Sequence, residues 1–249
     1  MKKVLNYDFW KSWKDITSTE RKAIEKIVLA RQLIIQSLPI EQLVAIYVKG
    51  SFVRREMGPD SDIDIVPIVA KTSFEGNAFG TNIPKIKPAV VVPLSLEEFK
   101  ANRLLTPSRF SPDLRAEPDL FLMELSNYGL IYGKPLNPRA FPVRGHKQIV
   151  TDEISKIRNG YIKAYETGRH SIPPIKEVFW LVEFYQRSKG INVDHSFRGI
   201  LASVNDDGHL LHQAYRLKLK GKKATLNEKR DYLVNLNHYL DRLEAEIKG

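Results

Sequence analysis

The sequence contains no cysteine. That absence excludes a disulfide framework, a thiolate zinc site and a cysteine nucleophile, and it fits a reducing compartment. Long apolar runs are missing too, and no window has the length and hydropathy to cross a membrane. The opening "MKKVLNYDFWKSWKD" has a basic flank, but Asp8, Lys11 and Lys14 interrupt it before a signal-type apolar segment develops. A cytoplasmic setting without a membrane partner is therefore expected. Internal repeats and low-complexity tracts are also lacking. Acidic residues are outnumbered: 29 Asp+Glu against 39 Lys+Arg leave a formal charge of +10 and a sequence pI near 9.6. Such a chain attracts polyanions and repels polycations at neutral pH, which favours a nucleotide or nucleic-acid partner.

The 249 residues suffice for one large domain or two ordinary ones, and 43% apolar content is enough for a core in either case. "TSTERKAIEKIVLARQLIIQSL" opens with a capping box, Thr17 to Glu20, and repeats Ile24, Ile27, Val28, Leu33 and Ile34 at helical spacing. After Pro39 the period changes. Short β-branched runs at Leu43 to Gly50, Ile63 to Ala70 and Ala89 to Leu94, bounded by Gly, Pro, Asn or Asp, predict three strands of one sheet. A helix follows Ser95 as N-cap, and another is expected over Pro118 to Tyr128. Prolines and glycines then punctuate "LIYGKPLNPRAFPVRG", placing a boundary near Phe141 to Gly145. From His146 onward strand signals disappear and five stretches show helical periodicity, the last opening with a second capping box, Thr225 to Glu228.

The informative stretch is "KGSFVRREMGPDSDIDIV", Lys49 to Val66. Gly50 and Ser51 end one strand and are expected to begin a short helical turn, while Gly58, Pro59, Asp60 and Ser61 supply turn chemistry before the next strand. Asp62 and Asp64 are two residues apart at the start of that strand, so both point to one face. Two converging anions repel unless they share a cation, and Mg²⁺, a hard ion that takes a few carboxylates with substrate phosphates, meets that need. Gly50 lets backbone approach a phosphate, Ser51 offers N–H and O–H donors, and Arg54 adds positive charge. Together these residues describe a site for a nucleoside triphosphate with its metal.

The pattern Gly-Ser, ten residues, Asp-x-Asp, written here "GSFVRREMGPDSDID", resembles the nucleotidyltransferase superfamily of DNA polymerase β. Its "PDSDID" ending and Arg54 are similar to the minimal and aminoglycoside-type enzymes. The lead helix, the third strand, "YGLIYGKPL" (Tyr128 to Leu136) and the helical second half resemble the two-domain plan of streptomycin-type adenylyltransferases over nearly the whole chain. The resemblance implies an α+β protein: a nucleotidyltransferase-type α/β domain with a small mixed sheet over residues 1–142, then a helical bundle over 143–249. It implies transfer of a nucleotide monophosphate, AMP first, from ATP or another NTP to an acceptor hydroxyl, with Mg (or Mn) as the metal. Asp62 and Asp64 would be the catalytic metal ligands, with Gly50, Ser51, Arg54 and Ser61 on the nucleotide.

One position departs from that pattern. The superfamily usually carries a third carboxylate on the third strand, and the expected place here falls on Ala89 or Val90, neither of which ionises. Glu97 and Glu98 lie beyond the strand, in a first helical turn where carboxylates favour the dipole. The alternative to an enzyme is therefore a catalytically degenerate relative that binds nucleotide or nucleic acid as a regulator or interaction module. For the acceptor, a net charge of +10 favours RNA such as tRNA over a polycationic aminoglycoside, with Arg216, Lys218, Lys220, Lys222 and Lys223 available to a phosphate backbone. His209 and His212 have zinc-ligand spacing without an evident third ligand, and Phe179, Trp180, Phe184 and Tyr185 are expected in the bundle core.

Overall fold

Residues 6–58, 61–106 and 115–248 are described by a computed structural model. Pro59 and Asp60, expected in the turn before the second strand, lie outside them. Packing divides the chain into two units, Met1–Val143 and Arg144–Gly249.

The first unit begins with α1 (Ser18–Ser37), which forms where its cap requires. Thr17 Oγ1 accepts the Glu20 N–H at 3.1 Å and Glu20 Oε2 accepts the Thr17 N–H at 2.7 Å, satisfying two otherwise orphaned donors. The next elements are β1 (Leu43–Lys49), β2 (Ile63–Val69), α2 (Glu75–Phe79), β3 (Ala89–Val91), β4 (Leu94–Ser95), α3 (Leu96–Ala101), α4 (Pro118–Met123) and β5 (Gly129–Gly133). The strands form one mixed sheet in the order β3-β2-β1-β5, with β4 also on β2. β1 is antiparallel to both β2 and β5, whereas β3 and β4 run parallel to β2. Strand alternation sorts the side chains onto two faces. Ile46, Val48, Ile63 and Ile65 pack with Ile27, Ala30 and Ile34 of α1; Tyr47, Val66 and Ile68 pack with Phe99 of α3 and Phe121 of α4. This is the α+β arrangement expected, with a small mixed sheet before a helical second half.

Three local expectations need correction. The third strand is not one run. Its register on β2 continues from Ile63↔Ala89 to Ile68↔Leu94, so Pro93 lies abreast of Pro67. Neither proline has an N–H to donate, and pairing lapses between them, leaving β3 and β4. The helix expected over Pro118 to Tyr128 stops at Met123, followed by a 3-10 turn at Leu125–Asn127. "GLIYG" is then a strand, β5, which the turn-forming glycines and prolines around it obscured.

Beneath the α3 face lies a buried ionic cluster. The fully buried Arg115 guanidinium contacts Glu75 Oε1 at 3.2 Å and also Glu98 Oε2. Thr106 Oγ1 donates to Glu75 Oε2 at 2.5 Å, and the Leu105 N–H donates to Glu98 Oε1 at 2.9 Å. Burial, and then the neighbouring Glu98, push the Glu75 carboxyl up to about 7 from its usual 4.5.

Among its described residues the second unit contains helices and turns but no strand. α5 (His146–Lys156) continues through a π segment, Ile157–Ile162, into α6 (Lys163–Glu166). After these come α7 (Lys176–Ser188), α8 (Phe197–Ala202), α9 (Leu210–Lys220) and α10 (Leu226–Lys248). α5 packs on α7 and α10, and α9 on α10. Phe179, Leu181, Leu211, Tyr232, Leu236 and Leu240 are buried among them, and Tyr232 donates to the Pro174 carbonyl at 2.7 Å. The Thr225–Glu228 capping box opens α10 as expected.

Candidate functional site

The site is built where β1 ends. Gly50 has φ +85°, a conformation side-chain-bearing residues rarely adopt, and a Cβ there would stand 3.3 Å from Asp64 Oδ2. Lys49 pairs with Asp64 in the β1–β2 register. The Gly-Ser end of one strand thus lies against an aspartate of the other, although ten residues separate Ser51 from Asp62 in sequence.

Residues 51–55 form a run of hydrogen-bonded turns where a short helical turn was expected, and they do not extend into a regular helix. Arg54 N–H reaches Gly50 O at 3.4 Å, Arg55 N–H reaches Phe52 O at 3.0 Å and Glu56 N–H reaches Ser51 O at 2.8 Å. The mixed spacing of these bonds, together with Arg55 at φ 57°, prevents a helical repeat. Two side chains hold the turn from behind. Phe52 is fully buried against the rings of Phe9, Trp10 and Trp13, at centroid distances of 6.1, 6.2 and 5.0 Å. Arg55 donates to Glu20 at 2.8 and 3.1 Å and to the carbonyls of Lys14 and Asp15, and it lies 5.0 Å over the Trp13 ring. The Arg55 hydrogen bond is the main reason that the Glu20 carboxyl falls from 4.5 to about 2. Arg55 is thus a positioning residue for the Gly-Ser turn. The capping glutamate Glu20 was visible in the sequence; its second partner, 35 residues away, was not.

Asp64 is half-buried on β2 and Asp62 is exposed one residue before the strand begins. Alternation gives Asp64 the face shared by Tyr47 and Val66, while Ile63 and Ile65 enter the opposite core. Val90 of β3 is the register partner of Asp64. The position where a third carboxylate was sought is therefore beside Asp64, and an apolar side chain occupies it. Glu97 and Glu98 are in the first turn of α3, as expected: Glu97 accepts from Thr72 N–H and O–H at 2.8 and 2.9 Å, and Glu98 completes the Ser95 capping box. Ser61 closes the preceding turn, its Oγ accepting the Gly58 N–H at 3.0 Å. Arg54 is paired with Glu56 at 2.8 Å. As a donor set, two hard carboxylates beside a glycine-bounded turn suit a divalent cation that carries phosphate oxygens.

In the second unit, His209 has a structural partner for one ring nitrogen. It caps α9, with Nδ1 accepting the Leu211 N–H at 3.2 Å. Phe179 and Phe184 are core residues as expected; Trp180 is only partly buried and stacks on His195 at 4.7 Å, and Tyr185, also partly buried, bonds Glu246. Within the lysine-rich stretch, Lys220 pairs with Glu228 and Lys218 lies 4.4 Å over the Phe197 ring, whereas Lys222 and Lys223 are exposed.

A scan against family models and a search of curated proteins each find no match. Among solved structures, the chain is similar to spectinomycin adenyltransferase AAD(9) from Enterococcus faecialis, determined with ATP and spectinomycin. Sequence identity is 15% and the TM-score is 0.49, over 90% of this chain and 99% of that one.

Proposed function

We propose that the protein is a nucleotidyltransferase that moves a nucleotide monophosphate, AMP first, from an NTP to an acceptor hydroxyl. The observation that carries this reading is the approach of Gly50 to Asp64 Oδ2, which brings the Gly-Ser turn against the Asp-x-Asp strand. In this reading Gly50 and Ser51 bind the phosphates through backbone N–H groups and the Ser51 hydroxyl, with Ser61 and Arg54 beside them. Asp62 and Asp64 hold Mg (or Mn), which when bound neutralises charge on the triphosphate and on departing pyrophosphate. The acceptor oxygen attacks the α-phosphorus, the bond to the bridging oxygen breaks, and pyrophosphate leaves.

Val90 beside Asp64 favours a second reading, a degenerate relative that binds nucleotide or nucleic acid without transferring it. Incubation with α-labelled ATP, GTP, CTP or UTP, Mg²⁺ or Mn²⁺, and a cell extract separates the two. An enzyme labels an acceptor and releases pyrophosphate; the degenerate form does neither, yet still binds NTP. Calorimetry on Asp62→Asn/Asp64→Asn tests the site itself, and metal-independent affinity equal to wild type would remove both readings.

For the acceptor we favour RNA such as tRNA over a polycationic aminoglycoside, because the chain carries +10. Exposed Lys222 and Lys223 are the residues to replace, since Lys220 is engaged by Glu228. tRNA binding should weaken steeply with salt and weaken again in the double alanine variant. Pyrophosphate release with streptomycin or kanamycin, and no tRNA binding at low salt, would reverse the order.

A further inference from the structure

Away from the Asp-x-Asp strand, the second unit contains a cavity of about 140 Å³ between the start of α7, the end of α9 and the start of α10. Ile175, Leu217 and Ala224 supply apolar wall, and the first two are buried. Lys176, Lys218 and Lys229 also line it. None of the three forms a salt bridge with a carboxylate among the described residues. Lys218 rests on the Phe197 ring and Lys229 reaches only the Ser171 carbonyl, at 3.5 Å. At the rim Ile172 is 51% exposed.

An apolar hollow of this size gains nothing from holding water, because water there finds few hydrogen-bond partners. Apolar walls with a few polar groups of one sign are instead the pattern of a small-molecule site. Among the described residues the three lysines carry no salt-bridged carboxylate, so an anion held among them is electrostatically favoured. The cations and the apolar wall thus ask for one ligand with two ends.

We propose that this cavity binds a small amphipathic anion, its carboxylate, sulfonate or phosphate head on Lys176, Lys218 and Lys229 and its body of a few carbons against Ile175, Leu217 and Ala224. The site makes no use of the nucleotidyl-transfer chemistry and stands or falls separately from it.

Hexanoate is a suitable probe, titrated into the full chain by NMR alongside 1-hexanol, hexylammonium and acetate. Hexanoate should bind at least tenfold tighter than hexanol and acetate, and hexylammonium should show no saturable shifts. Lys176→Gln, at an exposed side chain, should weaken hexanoate by roughly threefold to fivefold, as expected for one partly exposed charge. Ala224→Phe should fill the hollow and abolish binding while leaving the circular dichroism spectrum unchanged. Equal affinity for hexanoate and hexanol would overturn the role of the lysines. Acetate binding as tightly as hexanoate would overturn the role of the wall and mark the lysines as a plain phosphate-tracking surface. No saturable binding of hexanoate, or undiminished binding to folded Lys176→Gln, would also end the proposal.

Discussion

The buried trio of Glu75, Glu98 and Arg115 holds two acids against one base, so one proton decides whether the cluster is neutral. Glu75 takes that proton, with its carboxyl raised from 4.5 to about 7 by burial and by Glu98. A raised acid binds its proton more tightly in the folded state than in the unfolded chain. Its contribution to stability is therefore complete below pH 4.5 and is lost as pH rises through about 7. At 1.36 kcal/mol per pH unit, the interval from 4.5 to about 7 amounts to about 3 kcal/mol. Glu75→Gln keeps an oxygen for Arg115 and turns its amide N–H toward Thr106 Oγ1, which can accept, but it cannot titrate. Urea unfolding between pH 5 and pH 8 should fall by about 2–3 kcal/mol less in the variant than in wild type. Trp10 and Trp13 report on the first unit once the third tryptophan, Trp180, is replaced by Phe. Parallel pH dependences for wild type and Glu75→Gln would refute the shared-proton account. Arg115→Met adds a control that moves the other way from Glu75→Gln: it strands an anion, costing about 3–5 kcal/mol at pH 8 and less at pH 5, so stability should fall more steeply with pH than in wild type.

Four other substitutions examine the site and its support. Gly50→Ala forces a side chain into a positive-φ conformation against Asp64, and should cost about 1–2 kcal/mol by urea unfolding and weaken Mg²⁺-dependent nucleotide binding in calorimetry. Phe52→Ala empties the aromatic cluster behind the turn and should cost about 3–5 kcal/mol, whereas Arg54→Ala should stay within about 0.5 kcal/mol; equal losses in chemical denaturation would contradict the anchoring role. Val90→Asp places a third carboxylate beside Asp64 and should tighten Mn²⁺ binding measured by paramagnetic relaxation, with unchanged affinity counting against a metal on that face.

Elements with strong local signals were legible in the sequence. The Thr17–Glu20 and Thr225–Glu228 boxes located two helix starts because capping is a contact between residues three apart. The strands through Ile46 and Ile65 followed from β-branched runs between turn residues. What escaped depends on partners distant in the chain. "GLIYG" has the glycines of a loop and becomes a strand because β1 offers it an edge. Pro93 looked like part of a strand until Pro67 was found abreast of it. At the candidate site, the fold brings Gly50 against Asp64, and Gly50, Ser51, Asp62 and Asp64 were picked out by their spacing. Arg55 was not, since its partner Glu20 belongs to the cap of α1, and the burial of Phe52 depends on the aromatic residues of the N-terminal segment.

The two prolines have a bearing on solubility. An open sheet has two borders at which unpaired amides invite another chain, and long flat borders seed aggregation. Here one border is β5, and the N-terminal segment runs along it: Asn6 bridges to Tyr132 and the Tyr7 N–H donates to Ile131 O at 3.1 Å. The other border is β3 and β4, two short pieces interrupted by a residue that cannot donate. One border is occupied and the other is a poor template, so neither invites further strands. Removal of residues 1–8 takes the strand partner from β5 and the Tyr7 and Asp8 acceptors from Arg31, and self-association of the truncated protein would begin at the bared β5 border.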